Sequence, residues 1–219
     1  EEVGPAGPSL HDPALADGML VGEDPSSYTL VISPPGIDRI FIHCPGANDT
    51  FGAADIPLDQ VARARIFHFG YPPIMQRMYQ NEGWELAALM AAVQEMGVVT
   101  SLDMAQPDPA SEAGQADWRA ILQKTLPYVD IVAPSFDETL YMLDRARYEQ
   151  LHRQNELRPD GEILNWVSAQ LLAMGAAIVA LKLGGHGLYL RTSADPARLG
   201  RLRGLLPVDL TGWLNRELY

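Results

Sequence analysis

Gly97-Val98-Val99-Thr100-Ser101-Leu102-Asp103 is the stretch that decides the fold: a strand-like run from Val98 to Leu102 begins just past a glycine and stops on a carboxylate. Upstream of it, Leu86, Leu89, Met90, Val93 and Met96 recur at helical spacing, and Gly97 stands where a helix C-cap glycine belongs. Before that helix, Ile66-Phe67-His68-Phe69 is a short apolar run closed by Gly70 and followed by a Tyr-Pro-Pro loop. Downstream the design repeats. Trp118, Ile121, Leu122 and Thr125 form a second helical stripe stopped by Pro127, and Val129 to Ala133 is the strand after it, ending at Pro134-Ser135. A third helix is expected from Phe136 to Arg145 and a fourth from Glu162 to Met174, capped by Gly175, with the charged stretch Arg147 to Asp160 read only as a separator. Ala177 to Leu183 is a further strand, Gly184-Gly185-His186-Gly187 a tight turn, and Leu188 to Arg191 the return strand. Strands alternating with helices of this length imply an α/β fold: a mainly parallel sheet flanked by helices on both faces, with a β-hairpin near one edge.

The segment before Val61 reads differently. Residues 1–27 are rich in Gly, Pro, Asp and Ser, with Met19-Leu20-Val21 as the one short strand candidate. Tyr28 to Ser33 and Arg39 to His43 are β-prone runs joined by the turn chemistry of Pro34-Pro35-Gly36-Ile37-Asp38, so they are expected to form a hairpin or two neighbouring strands. The division expected is an N-terminal segment with lid or hairpin strands over residues 1–60 and an α/β core over 61–219.

Composition excludes several classes. A net charge of −12 argues against a nucleic-acid partner, because phosphate backbones are bound by clustered Lys and Arg. No run of about 18 apolar residues spans a bilayer, and the N-terminal residues have neither the basic start nor the apolar stretch of a signal peptide; a cytoplasmic protein is expected. Cys44 is the single cysteine, so neither an internal disulfide nor a cysteine-rich zinc site is available, and a small buried hydrophobe is its plain reading. Lys124 and Lys182 are the two lysines, and Lys182 falls at the end of a strand, where a fixed positive charge matters to an anionic ligand. Arg198, Arg201 and Arg203 lie in a segment with Gly and Pro and read as a solvated loop.

Ligand crevices of open parallel sheets lie at the carboxyl ends of the strands, and Gly70, Asp103, Ser135 with Glu138, and Gly184 all fall there. Ser135 followed by Glu138 is a capping box, which accounts for both residues at a helix start. The alternative is functional: free N–H groups at a helix start attract phosphate, and a glutamate there can hold magnesium through water. Glycines in Gly184 to Gly187 serve a hairpin, and the strand that follows them rules out a Rossmann fingerprint. His43, His68, His152 and His186 have no metal-like pairing.

Taken in order, Pro45-Gly46-Ala47-Asn48, His68-Phe69-Gly70, Leu102-Asp103, Val132-Ala133-Pro134-Ser135-Phe136-Asp137-Glu138 and Leu181-Lys182-Leu183-Gly184-Gly185-His186-Gly187 resemble the ribokinase-like (PfkB) carbohydrate kinase family, over roughly Tyr28 to Thr192. The resemblance implies a central sheet with a small β lid, and ATP- and Mg2+-dependent phosphoryl transfer to a hydroxyl of a sugar or sugar-like molecule. It implies that Gly46, Ala47 and Asn48 lie near lid and sugar, that Gly70 floors the sugar pocket, and that Asp103 sits on its sugar and phosphate side. Glu138 would match the glutamate of the family's Asn-x-x-Glu motif and help hold magnesium, Ser135 standing where that motif has Asn. Lys182, Gly184 and Gly187 would border the nucleotide, and lid strands would pair two subunits into a homodimer.

The family's early Gly-Gly and Asn sugar segment has no counterpart before Tyr28, and its Asp-Thr-x-Gly-Ala-Gly-Asp signature does not follow the last hairpin. Both ends are therefore expected to be incomplete relative to the family, with the catalytic base outside these residues and the chain alone not competent. Asp49-Thr50-Phe51-Gly52-Ala53-Ala54-Asp55 matches that signature at every fixed position except Ala54. Asp55 is thereby a candidate base, though Ile56-Pro57-Leu58 after it suits an N-cap before a short helix. A non-catalytic sugar- or nucleotide-binding relative remains the alternative.

Overall fold

A computed structural model describes residues 23–37, 39–204 and 210–219. The strand candidate Met19-Leu20-Val21 and the side chain of Arg203 lie outside the described residues. Two sheets are present among the described residues. Strands β1 (Tyr28–Ile32) and β2 (Ile40–Cys44) form an antiparallel pair in which Leu30 faces Ile42. The second sheet has six strands in the order of the chain: β3 (Ile66–Phe69), β4 (Val99–Leu102), β5 (Ile131–Val132), β6 (Ile178–Lys182), β7 (Leu188–Thr192) and β8 (Glu217–Leu218). β3 to β6 run parallel, and β7 and β8 return antiparallel. This is the expected α/β architecture with its separate hairpin.

Five longer helices supply the layers: α1 (Trp84–Glu95), α2 (Trp118–Thr125), α3 (Phe136–Leu143), α4 (Arg145–Gln154) and α5 (Gly161–Ala173). The apolar stripe foreseen on α1 buries Leu86, Leu89, Met90 and Val93, whereas its last member, Met96, falls at the helix end and is exposed. The helix ends where Gly97 takes a left-handed φ of 78°, a conformation that costs glycine nothing. All four residues of β4 are buried, as befits a central strand covered on both faces. Alternate side chains serve different layers. Leu102, Val132 and Val179 join the large core with α1, α2, α3 and α5, whereas Val99, Ile131 and Ile178 turn toward Leu199, Leu202 and Trp213.

Several readings of the sequence are corrected. The separator Arg147 to Asp160 contains α4, and the third helix stops at Leu143 because Asp144 begins a new one, its side chain accepting from the Arg147 N–H. The arginine group is no solvated loop. Pro196–Gly200 is a short helix, Arg198 donates to the carbonyls of Pro127 and Val129 at 3.1 and 2.8 Å, and Arg201 Nε donates to Asp130 Oδ1 at 2.9 Å. Asp130 is fully buried, and its other oxygen accepts from the Thr100 N–H and hydroxyl, which leaves this charge paired as a buried carboxylate requires. Finally, Asp55 does not cap the short helix Leu58–Val61, which starts after Pro57; it ends a turn of 3-10 helix and its carboxylate takes the Gly52 N–H at 2.8 Å.

The hairpin carries an unusual surface. Tyr28, Leu30, Val31, Ile32, Ile40, Phe41 and Ile42 are all exposed, so both faces of a two-stranded sheet present apolar side chains. Cys44 at its end is free and half-buried rather than buried. Among the described residues no helix is long and apolar enough to cross a membrane.

Candidate active site

Asp103 follows β4 directly and is fixed on three sides. Its N–H donates to the Phe69 carbonyl at 2.9 Å and its carbonyl accepts from the Tyr71 N–H at 3.2 Å, lacing the ends of β3 and β4 together. Its side chain, 13% exposed, accepts the Met104 N–H through Oδ1 at 2.8 Å. Lys182, the last residue of β6, donates from Nζ to Oδ1 and Oδ2 alike, each at 2.7 Å. Two elements separated by 79 residues of chain are thus joined above β5, which lies between them.

The end of β5 supplies the third contribution. The Lys182 N–H donates to the Pro134 carbonyl, and Ser135 pairs with Lys182 in a parallel bridge. Ser135 then caps α3. Glu138 Oε2 accepts the Ser135 N–H at 2.8 Å, and the Ser135 hydroxyl accepts the Glu138 N–H at a long 3.4 Å. The capping box read from the sequence is present, and its glutamate does the larger share. Burial pushes the Glu138 carboxyl above the usual carboxylate range; the Ser135 N–H and Lys182 oppose that rise and Asp103 adds to it. Glu138, Asp103 and Lys182 therefore act on one another at the carboxyl ends of three adjacent parallel strands, where open α/β sheets place their ligands.

Other sequence candidates have different surroundings. Gly70 lies beside Asp103, since the next residue donates to the Asp103 carbonyl. Gly184 and Gly187 belong to the turn between β6 and β7, where a Cβ on either would meet no atom within 4 Å. Gly46, Ala47 and Asn48 form a turn after β2 that closes on the chain before β1: the Ala47 N–H donates to the Pro25 carbonyl, and a Cβ on Gly46 would come within 2.4 Å of that oxygen. Among the described residues, no hydrogen bond or ion pair links that turn to Asp103, Glu138 or Lys182. Asp55 is also distant in its bonding. The Ala53 N–H donates to Glu85 Oε1, Arg77 pairs with Glu85, and Arg77 also reaches the Thr50 carbonyl.

One residue the sequence did not single out is Tyr71. It takes a left-handed φ of 65° immediately after Gly70 and before two prolines, a conformation that a tyrosine holds only under tertiary constraint. The Tyr-Pro-Pro segment marked a loop, but nothing local signals the constraint. A shallow cleft of about 380 Å3 lined by Gln106, Pro109, Tyr148, Glu149, His152 and Arg153 is a separate feature, since none of Asp103, Glu138 and Lys182 lines it.

The donor set can be tested against magnesium. Among the described residues no three His, Cys, Asp or Glu side chains gather as metal ligands, so a closed protein cage is not formed. Magnesium keeps much of its water and takes one or two carboxylates together with phosphate. Glu138 fits that use: one oxygen is held by Ser135, and burial already penalises its charge.

No family model matches the sequence, and no curated protein does. Solved structures do. Fructokinase from Xylella fastidiosa superposes with a TM-score of 0.55 at 19% identity, over 82% of this chain and 52% of that one. Arabidopsis thaliana ribokinase, complexed with ribose and ATP, gives 0.53 at 20% identity, over 79% of this chain and 47% of that one. Ribokinase from Giardia lamblia gives 0.53 at 12%, over 78% and 46%. The chain has the ribokinase-like fold. It spans about half the length of these structures, and at such identities the ribokinase-like likeness is one of architecture. Within the ribokinase-like sheet of this chain, β3 to β6 are the parallel strands whose ends carry Gly70, Asp103, Ser135 and Lys182.

Proposed function

We propose that the chain serves ATP- and magnesium-dependent phosphoryl transfer to a hydroxyl of a sugar or sugar-like small molecule. The observation that carries this reading is the convergence of Asp103, Glu138 and Lys182 at the end of β4, the start of α3 and the end of β6. ATP would supply the transferred group, and magnesium would neutralise its phosphates. Lys182 offers a cation to a phosphate oxygen, Glu138 holds the metal's water, and Asp103 accepts from an acceptor hydroxyl at the boundary with Gly70. Phosphoryl transfer asks chiefly for positioning and charge stabilisation, which such a set provides. The base that takes the hydroxyl proton is assigned to no residue here; Asp55 is the weaker candidate, because its carboxylate is committed to Gly52.

In the same reading residues 1–60 carry the lid and residues 61–219 the core. Gly46, Ala47 and Asn48 stand by the sugar, Gly184 and Gly187 by the nucleotide. The apolar faces of β1 and β2 cover the acceptor or pair with a second copy of the hairpin in a homodimer. A cytoplasmic setting belongs to the same reading. The test is transfer of labelled γ-phosphate from ATP to a panel of sugars by the protein expressed from its complete reading frame, with and without magnesium. A magnesium-dependent sugar phosphate supports the kinase. Nucleotide or sugar binding without any transfer supports the non-catalytic relative instead.

A further inference from the structure

We propose that the Asp103–Lys182 ion pair is a holding contact that ligands exchange, so that engagement of Asp103 by an acceptor hydroxyl releases Lys182 to a phosphate group and couples the two binding events. The inference rests on the phosphoryl-transfer reading of this crevice.

The charge arrangement leads to it. Asp103, Glu138 and Lys182 bring two carboxylates and one ammonium into mutual range. Lys182 spends its charge on both oxygens of Asp103 at 2.7 Å. In that state a phosphate arriving beside Glu138 meets a carboxylate and an ammonium already paired with Asp103. For Lys182 to serve the phosphate it must leave Asp103, and Asp103 is 13% exposed with one backbone N–H as its other donor, so it needs a replacement donor. A sugar hydroxyl is one. The two ligands then lower each other's penalty, which is positive coupling and by linkage reciprocal.

The two side chains are suited to the exchange. Asp103 is held by β3, by Met104 and by its own strand, and stays in place. Lys182 is 45% exposed and carries its charge on a flexible four-carbon stem anchored only through the backbone of β6. Lys124, by contrast, is tied to the Glu82 carbonyl and carboxylate and lies over the Trp84 ring.

The test uses inorganic tripolyphosphate as the anion and Asp103→Asn as the state in which the carboxylate no longer holds the lysine. Titration calorimetry is expected to show Asp103→Asn binding tripolyphosphate about fivefold or more tightly than the native chain, with the gain abolished when Lys182→Met is added. Equal or weaker binding by Asp103→Asn overturns the exchange and leaves the kinase reading standing. Binding by neither chain overturns both. Because the sequence holds only two lysines, NMR of isotope-labelled lysine side chains reports the same event in the native protein without substitution. On saturation with tripolyphosphate the Lys182 signal is expected to move and the Lys124 signal to stay; an unmoved Lys182 signal overturns the proposal.

Discussion

Glu138 has both a structural and a chemical use, and substitution separates them. Gln keeps an oxygen for the Ser135 N–H and removes the charge. Because burial raises the folded carboxyl above its unfolded value, protonation favours the folded state. The stability this provides is fully present below the unfolded pKa, about 4.3, and is lost as pH rises through the folded one. Glu138→Gln is therefore expected to melt higher than the native chain at about pH 7, with the advantage vanishing toward about pH 4. A variant that melts several degrees lower at neutral pH would show that the ionised cap stabilises more than its burial costs. Both cap residues were legible as Ser135-x-x-Glu138, because a capping box is local. The Asp103–Lys182 contact was not, since nothing local relates residues 79 positions apart. Only their common placement at strand ends could be read.

At the scale of elements, what could be read followed apolar periodicity. α1, α2 and α5 bury their stripes, and the sequence located them to within a few residues. α4 buries no residue at all, so no stripe marked it. It is held by the Asp144 cap, by the Arg145–Glu149 pair, by Arg147 over the Trp166 ring and by half-buried Tyr148 and Leu151 against the core, two apolar residues that are too few to form a periodic stripe. The segment from Pro196 to Arg201 misled for a related reason. Its arginines look solvated in sequence, but their partners are the carbonyls of Pro127 and Val129, just before β5, and the buried Asp130. Removing Arg201 leaves that carboxylate hydrogen-bonded to Thr100 alone, with the Arg198 charge nearby, and loss of one partner of a buried pair costs about 3 kcal/mol or more. Arg201→Leu is expected to lower unfolding free energy by that amount in urea, and the double variant Arg201→Leu with Asp130→Asn to recover part of it. A change below about 0.5 kcal/mol would place the pair among weak surface contacts.

For the whole molecule, the alternation of strands and helices from Val61 onward sufficed to give the sheet, because parallel strands need helical crossovers and a buried central strand needs layers on both sides. β8 escaped notice, since two residues carry no pattern. Binding of phosphates where β4 and β6 end and α3 begins is checked by titrating ATP with magnesium into the native protein, Glu138→Gln and Lys182→Met. Saturable binding by the native chain is expected, with affinity about tenfold or more lower in each variant, a loss of roughly 1.4 kcal/mol. Equal affinity in all three would contradict it and place the nucleotide elsewhere on the fold.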